Sequence, residues 1–173
     1  MTAATTDKAK AAKTGTPGKA NGGKRRGESS AVKHSAVVAS GKIPRIKVRS
    51  VDDAAIKWDA VFATYGGHGA DQSSTIVYEI EPGGHLGWHT DATEETQYII
   101  SGAGELHTEE GAFPVGPGSV FVLPTNLRHD LANTGKEPLR AVAFFAAAMF
   151  TQDFDSVMLP PKSHILGTPN REG

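Results

Sequence analysis

From Lys42 onward the chain is written in short runs that alternate apolar and polar residues. KIPRIKVRSV (42–51) has the period of two that a half-buried strand requires. DAVFATY (59–65) and STIVYEIEPGG (74–84) follow with the same texture. WHT, TQYIIS, AGELHT, GAFPV, SVFVL, RHDLAN and LRAVAFFAAA complete the series up to residue 148. Between them stand PGG, SGAG, EEG, GPG, PTN and NTGKEP. Such residues end strands, because glycine supplies positive φ and proline a fixed φ. Many short strands at near-regular spacing predict an all-β sandwich or barrel over residues 42–150. No long helical periodicity competes, and AAIKWDAVF offers at most one helical turn.

Two flanking regions differ in texture. Residues 1–41 consist mainly of Ala, Lys, Gly, Thr and Ser and contain no aromatic residue. They offer too little apolar surface to offset the entropy of ordering, so a disordered N-terminal tail is expected. Residues 151–173 are expected to form an extension packed on the barrel, beginning with a short helix over TQDFDSVM. Pro160 and Pro161 should then impose an extended course.

Composition sharpens this division. Residues 1–50 hold 12 Lys and Arg against two acids, whereas the rest holds six against 17. The net charge of −1 therefore hides a basic tail on an acidic body. Nucleic-acid contact by the tail is one reading of that asymmetry; a solubilising extension is the plainer one. No apolar run approaches the roughly 18 residues of a membrane span, and AVVAS is too short for a secretory segment, so a cytoplasmic protein is expected. With no Cys in the chain, disulfides and thiolate metal sites are excluded.

The candidate chemistry lies in two stretches. In GWHTDATEETQYIISGAG (87–104), His89, Asp91, Glu95 and Gln97 share one parity if the turn at 92–94 preserves it. Four polar residues facing a barrel interior would each cost free energy without partners. A bound cation would give imidazole and carboxylate a reason to converge. In GPGSVFVLPTNLRHDLANTG (116–135), His129 opens a strand on which Leu131 and Asn133 face the same way. Trp88 and Tyr98 have the opposite parity and should face outward.

These stretches resemble the two motifs of the cupin superfamily. The first has a glycine near 83–84, then His89, Glu95 and Gly102; the second has Pro124, His129 and Asn133. The resemblance covers roughly Lys42–Phe150 and implies a jelly-roll β-barrel of the single-domain type. Asp91 stands where a second histidine is usual. The first motif is also similar to that of the 3-hydroxyanthranilate dioxygenase family, and by matching position it implies His89, Glu95 and His129 as metal ligands. That family holds its substrate's carboxylate with arginines. The matching positions here are His85 and Asn133, so its substrate is not carried over. The resemblance implies a divalent metal, Fe(II) first and Mn, Ni, Co or Zn as alternatives, because two His with one carboxylate suit non-haem iron. It further implies an enzyme acting on a small organic molecule, foremost as a dioxygenase, with Asp91 and Gln97 positioning substrate or moving a proton. A redox-neutral metallo-enzyme and a non-catalytic binding module are the alternatives. A homodimer is expected from the same resemblance.

Overall fold

The computed structural model describes residues 37–169. The basic tail therefore lies outside the described residues as far as residue 36, and Ser40–Lys42 forms one turn of 3₁₀ helix ahead of the barrel.

Twelve strands follow. They are β1 (Ile46–Ser50), β2 (Lys57–Thr64), β3 (Ser74–Ile80), β4 (His89–Asp91), β5 (Glu95–Ser101) and β6 (Gly104–Thr108). After these come β7 (Gly111–Val115), β8 (Val120–Leu123), β9 (His129–Asn133), β10 (Leu139–Phe145), β11 (Thr151–Leu159) and β12 (Ser163–Gly167). They form one curled antiparallel sheet in the order β7-β6-β9-β4-β11-β1-β2-β3-β10-β5-β8, with β12 added beside β11. The all-β architecture is the one the alternation predicted, and the curled antiparallel sheet is that of the jelly roll the motif resemblance implied.

The alternation also decides what faces inward. On β3, Ser74, Ile76, Tyr78 and Ile80 are buried and the residues between them are not. On β10, Leu139, Ala141, Ala143 and Phe145 are buried while Arg140 and Phe144 are exposed. Ile80, Ile99, Leu131 and Leu139 have no accessible surface and form part of the core at one end of these rows. The turn beside that end needs a glycine. Gly102 has φ +90°, and a Cβ there would lie 2.7 Å from Leu139 Cα.

The C-terminal segment departs from expectation. TQDFDSVM is strand, because β11 pairs with β4 and then β1 along one edge and with β12 along the other, and ladder bonds on both sides outweigh a marginal local helix preference. Pro160 and Pro161 do not extend the chain away; they lie at the turn that returns it as β12. The segment thus supplies barrel wall, and it places Gln152 opposite Asp91 and Phe154 opposite His89.

Candidate metal centre

Strand register brings the two histidines together. β4 pairs with β9 at His89 and His129, and their rings stand 4.2 Å apart. The Nδ1–H of His89 donates to the Gly87 carbonyl at 2.7 Å, and that of His129 to the Leu127 carbonyl at 2.9 Å. A carbonyl only accepts, so each bond puts the proton on Nδ1 and leaves an Nε2 lone pair free to bind a cation.

Two carboxylates join them. Asp91 lies two residues beyond His89 on the same face, and Glu95 opens β5; both are buried. His129 Nε2 lies 3.6 Å from Asp91 Oδ2 and 3.6 Å from Glu95 Oε2. One donor atom from each of His89, Asp91 and His129 falls within 4.8 Å of the others. At 3.6 Å His129 Nε2 and the two carboxylate oxygens stand too far apart to hydrogen-bond. Asp91 Oδ2, Glu95 Oε2 and His129 Nε2 are accordingly buried without a partner, as is Gln97 Nε2. Buried polar atoms are seldom left so, and His129 Nε2 lies near both carboxylate oxygens. A divalent cation would satisfy the nitrogen and both oxygens, so the donor set fits a metal of the N/O-binding kind.

A second layer orients these groups. Gln152 Nε2 donates to Asp91 Oδ1 at 2.9 Å and so leaves Oδ2 facing the histidines. Tyr78 Oη donates to Gln97 Oε1 at 2.5 Å, which fixes the amide with its nitrogen unpartnered. Phe154 stacks on the His89 ring at 4.5 Å. Asp130 accepts from the Gly87 amide at 2.9 Å and pairs with His85 at 2.7 Å, which braces the chain just before His89.

Electrostatics follow from burial. Burial, and then the charge of His129, lowers the pKa of His89 to about 3, so its imidazole is neutral. Burial, and then the Glu95 carboxylate, raises Asp91 to about 7. Burial lowers His129, but the adjacent Glu95 outweighs it and the net shift is upward. Tyr78 is pushed well above the usual phenol range by burial and by Glu95 and Asp91, so it stays a donor.

The structure brings His89, Asp91, Glu95, Gln97 and His129 to one place, all of them buried. His85 stands apart, paired with Asp130 and Asp53. Tyr98 faces outward, and Trp88, only half-buried, lies beneath the Arg128 guanidinium at 4.3 Å. Sequence reasoning missed Tyr78 and Gln152. Tyr78 had a signal, as the one polar residue amid the inward row of Ile76 and Ile80. Gln152 had none while its strand was read as helix.

Comparisons with known proteins agree with this architecture. Residues 76–145, from β3 through β10, match the family model described as a cupin domain. No curated protein matches the chain. Among solved structures, the chain resembles a sugar phosphate isomerase from a cupin superfamily of Silicibacter pomeroyi, with 19% identity, a TM-score of 0.58, and coverage of 80% of this chain and 95% of that one. A predicted oxalate decarboxylase from Thermotoga maritima is 19% identical with a TM-score of 0.57, over 65% of this chain and 99% of that one. The polyketide cyclase RemF from Streptomyces resistomycificus is 16% identical with a TM-score of 0.56, over 65% and 79%. At such identities the likeness is one of fold. The paired motifs, the curled antiparallel sheet and the family model agree on a cupin domain over residues 76–145.

Proposed function

We propose that this chain is a metal-dependent enzyme acting on a small organic molecule, with His89, Glu95 and His129 holding a divalent ion and Asp91 beside them. The observation that carries the reading is the convergence of three buried, unpartnered donor atoms on Asp91, Glu95 and His129, next to the neutral His89. Such a set is costly to bury unless something cationic sits within it.

When bound, the ion supplies Lewis acidity and open positions for substrate and, as Fe(II), for O₂. The protein's own groups do the remainder. The Nδ1–H bonds of both histidines keep their lone pairs inward. Gln97, held by Tyr78, presents an amide N–H that donates to a substrate oxygen. Ile76, Phe145 and Phe154 line the neighbouring cavity and limit water.

Dioxygenase chemistry with Fe(II) is the first reading, because two His and one carboxylate leave positions open. A redox-neutral reaction is the second, and Asp91 favours it. One of its oxygens is fixed by Gln152 while the other stays unpartnered, which suits a general base. Turnover of a candidate substrate by protein loaded separately with Fe(II) and Mn(II), in air and under argon, separates the two. The dioxygenase reading requires O₂ uptake matched to product with Fe(II); turnover under argon with Mn(II) excludes it. If neither metal supports turnover of any small organic substrate, the enzyme reading fails.

The expected homodimer finds support in an outward apolar row. Tyr98, Ile100, Val120, Val122 and Phe144 are exposed on the adjoining strands β10, β5 and β8, the last a sheet edge. Sedimentation analysis of the wild type and a Val120→Lys/Val122→Lys variant tests it, with a shift to monomer expected in the variant. Among the described residues no helix is long and apolar enough to cross a membrane.

A further inference from the structure

The space beside the metal-site residues is very small. The cavity touching His89 and Glu95 measures about 20 Å³, room for little more than one water. Beyond it lies a chamber of about 250 Å³ beneath the β11–β12 hairpin. Trp58, Ile76 and Gln152 line both spaces and so form the wall between them. Val48, Ala60, Phe62 and Leu166 line the chamber farther out.

The chemistry of that chamber is one-sided. Among the described residues, no Lys, Arg, His, Asp or Glu lines it. Its polar side chains are Gln152, whose amide donates to Asp91, and Trp58, whose Nε1–H donates to the Leu86 carbonyl at 3.0 Å. The Trp58 ring is thereby pinned with its apolar surface to the chamber. A phosphate or a second carboxylate would have to shed water there with no counter-charge, which is strongly unfavourable. An apolar group gains by the same transfer. The volume lies below the roughly 300–1,000 Å³ of drug-sized sites, so the occupant is small.

We infer that the substrate is a small, largely apolar molecule without phosphate or multiple carboxylates, its hydrocarbon part seated in the chamber against Trp58 and its oxygen-bearing end reaching the metal-site residues past Gln152. This rests on the metal-dependent reading above and adds the substrate class to it. It also separates the chain from a reaction on a sugar phosphate or on oxalate, whose charges the chamber does not match.

The test uses the Trp58 indole N–H signal in NMR spectra of the full-length Zn²⁺-loaded protein. The chain has two tryptophans, so a Trp88→Phe variant assigns the signal. Naphthol should shift it saturably, whereas glucose phosphate and oxalate should leave it in place. Ala60→Leu, which fills the chamber, should weaken naphthol binding at least tenfold and leave Zn²⁺ binding unchanged. Leu166→Glu, at the hairpin rim, serves the same purpose if Ala60→Leu does not fold. The inference is overturned if naphthol leaves the Trp58 signal in place, or if glucose phosphate or oxalate moves it as naphthol does. It is equally overturned if a folded chamber variant binds naphthol as tightly as the wild type. Zn²⁺ failing to bind while naphthol still binds Trp58's chamber would instead overturn the metal reading and leave the chamber's preference standing.

Discussion

The two ends of the barrel interior are built on the same strands and obey opposite rules. β5 carries Glu95 and Gln97 at one end and Ile99 at the other; β9 carries His129 and then Leu131. All five are buried to within a few per cent. At the apolar end, burial is its own reward, because water is excluded from hydrocarbon. At the polar end the same depth leaves Asp91 Oδ2, Glu95 Oε2, Gln97 Nε2 and His129 Nε2 without partners. One end therefore carries the folding free energy, and the other spends some of it to keep donor atoms poised for a ligand.

Substitutions at the two ends should accordingly fail in different ways. The largest expected effect on folding comes from Leu131→Ala, which removes a wholly buried side chain. It should cost about 2–5 kcal/mol in denaturant unfolding while the folded fraction keeps its metal affinity. Gln97→Leu should come next. It strips the acceptor from the buried Tyr78 hydroxyl and should cost about 1–3 kcal/mol. Adding Tyr78→Phe should recover much of that loss, and a double-mutant cycle measures the coupling.

A third prediction inverts the sign. Asp91 is raised to about 7 in the folded protein, from an ordinary value of 3.8, by burial and by Glu95. Between those two pH values the folded metal-free protein holds a proton that the unfolded chain has released. Stability contributed by Asp91 is thus full below about pH 4 and is lost as pH rises toward 7. Asp91→Asn should flatten this slope in metal-free protein and leave stability at pH 8 equal to or above wild type. A steeper slope in the variant would contradict the assigned strain. The smallest effect belongs outside the barrel. Arg128→Ala removes the guanidinium over Trp88 and should cost about 0.5–1 kcal/mol, with a change in Trp88 emission.

Legibility in the sequence followed the same division. Alternation over 42–148 disclosed the strands, since burial on one face leaves a period of two in the residues themselves. The shared parity of His89, Asp91, Glu95 and Gln97 survived the turn at 92–94, so that polar row was readable. Gln152 was not, because TQDFDSVM has no local feature that announces pairing with β4 and β1; only the closed sheet gives it that role. The chamber under the β11–β12 hairpin was hidden for the same reason. Its walls come from β1, β2, β3 and the C-terminal hairpin, which no local pattern links.

The central claim is that the polar end is a metal site, and a calorimetric titration of metal-stripped protein with Mn²⁺ at neutral pH tests it most directly. The account predicts one ion per chain in the wild type, a rise in Tm on saturation, and no detectable binding in a His89→Ala/His129→Ala variant that keeps its β-rich circular dichroism. Stoichiometric binding that persists in that folded variant, or none in the wild type with Mn²⁺, Fe²⁺ or Zn²⁺, would contradict it.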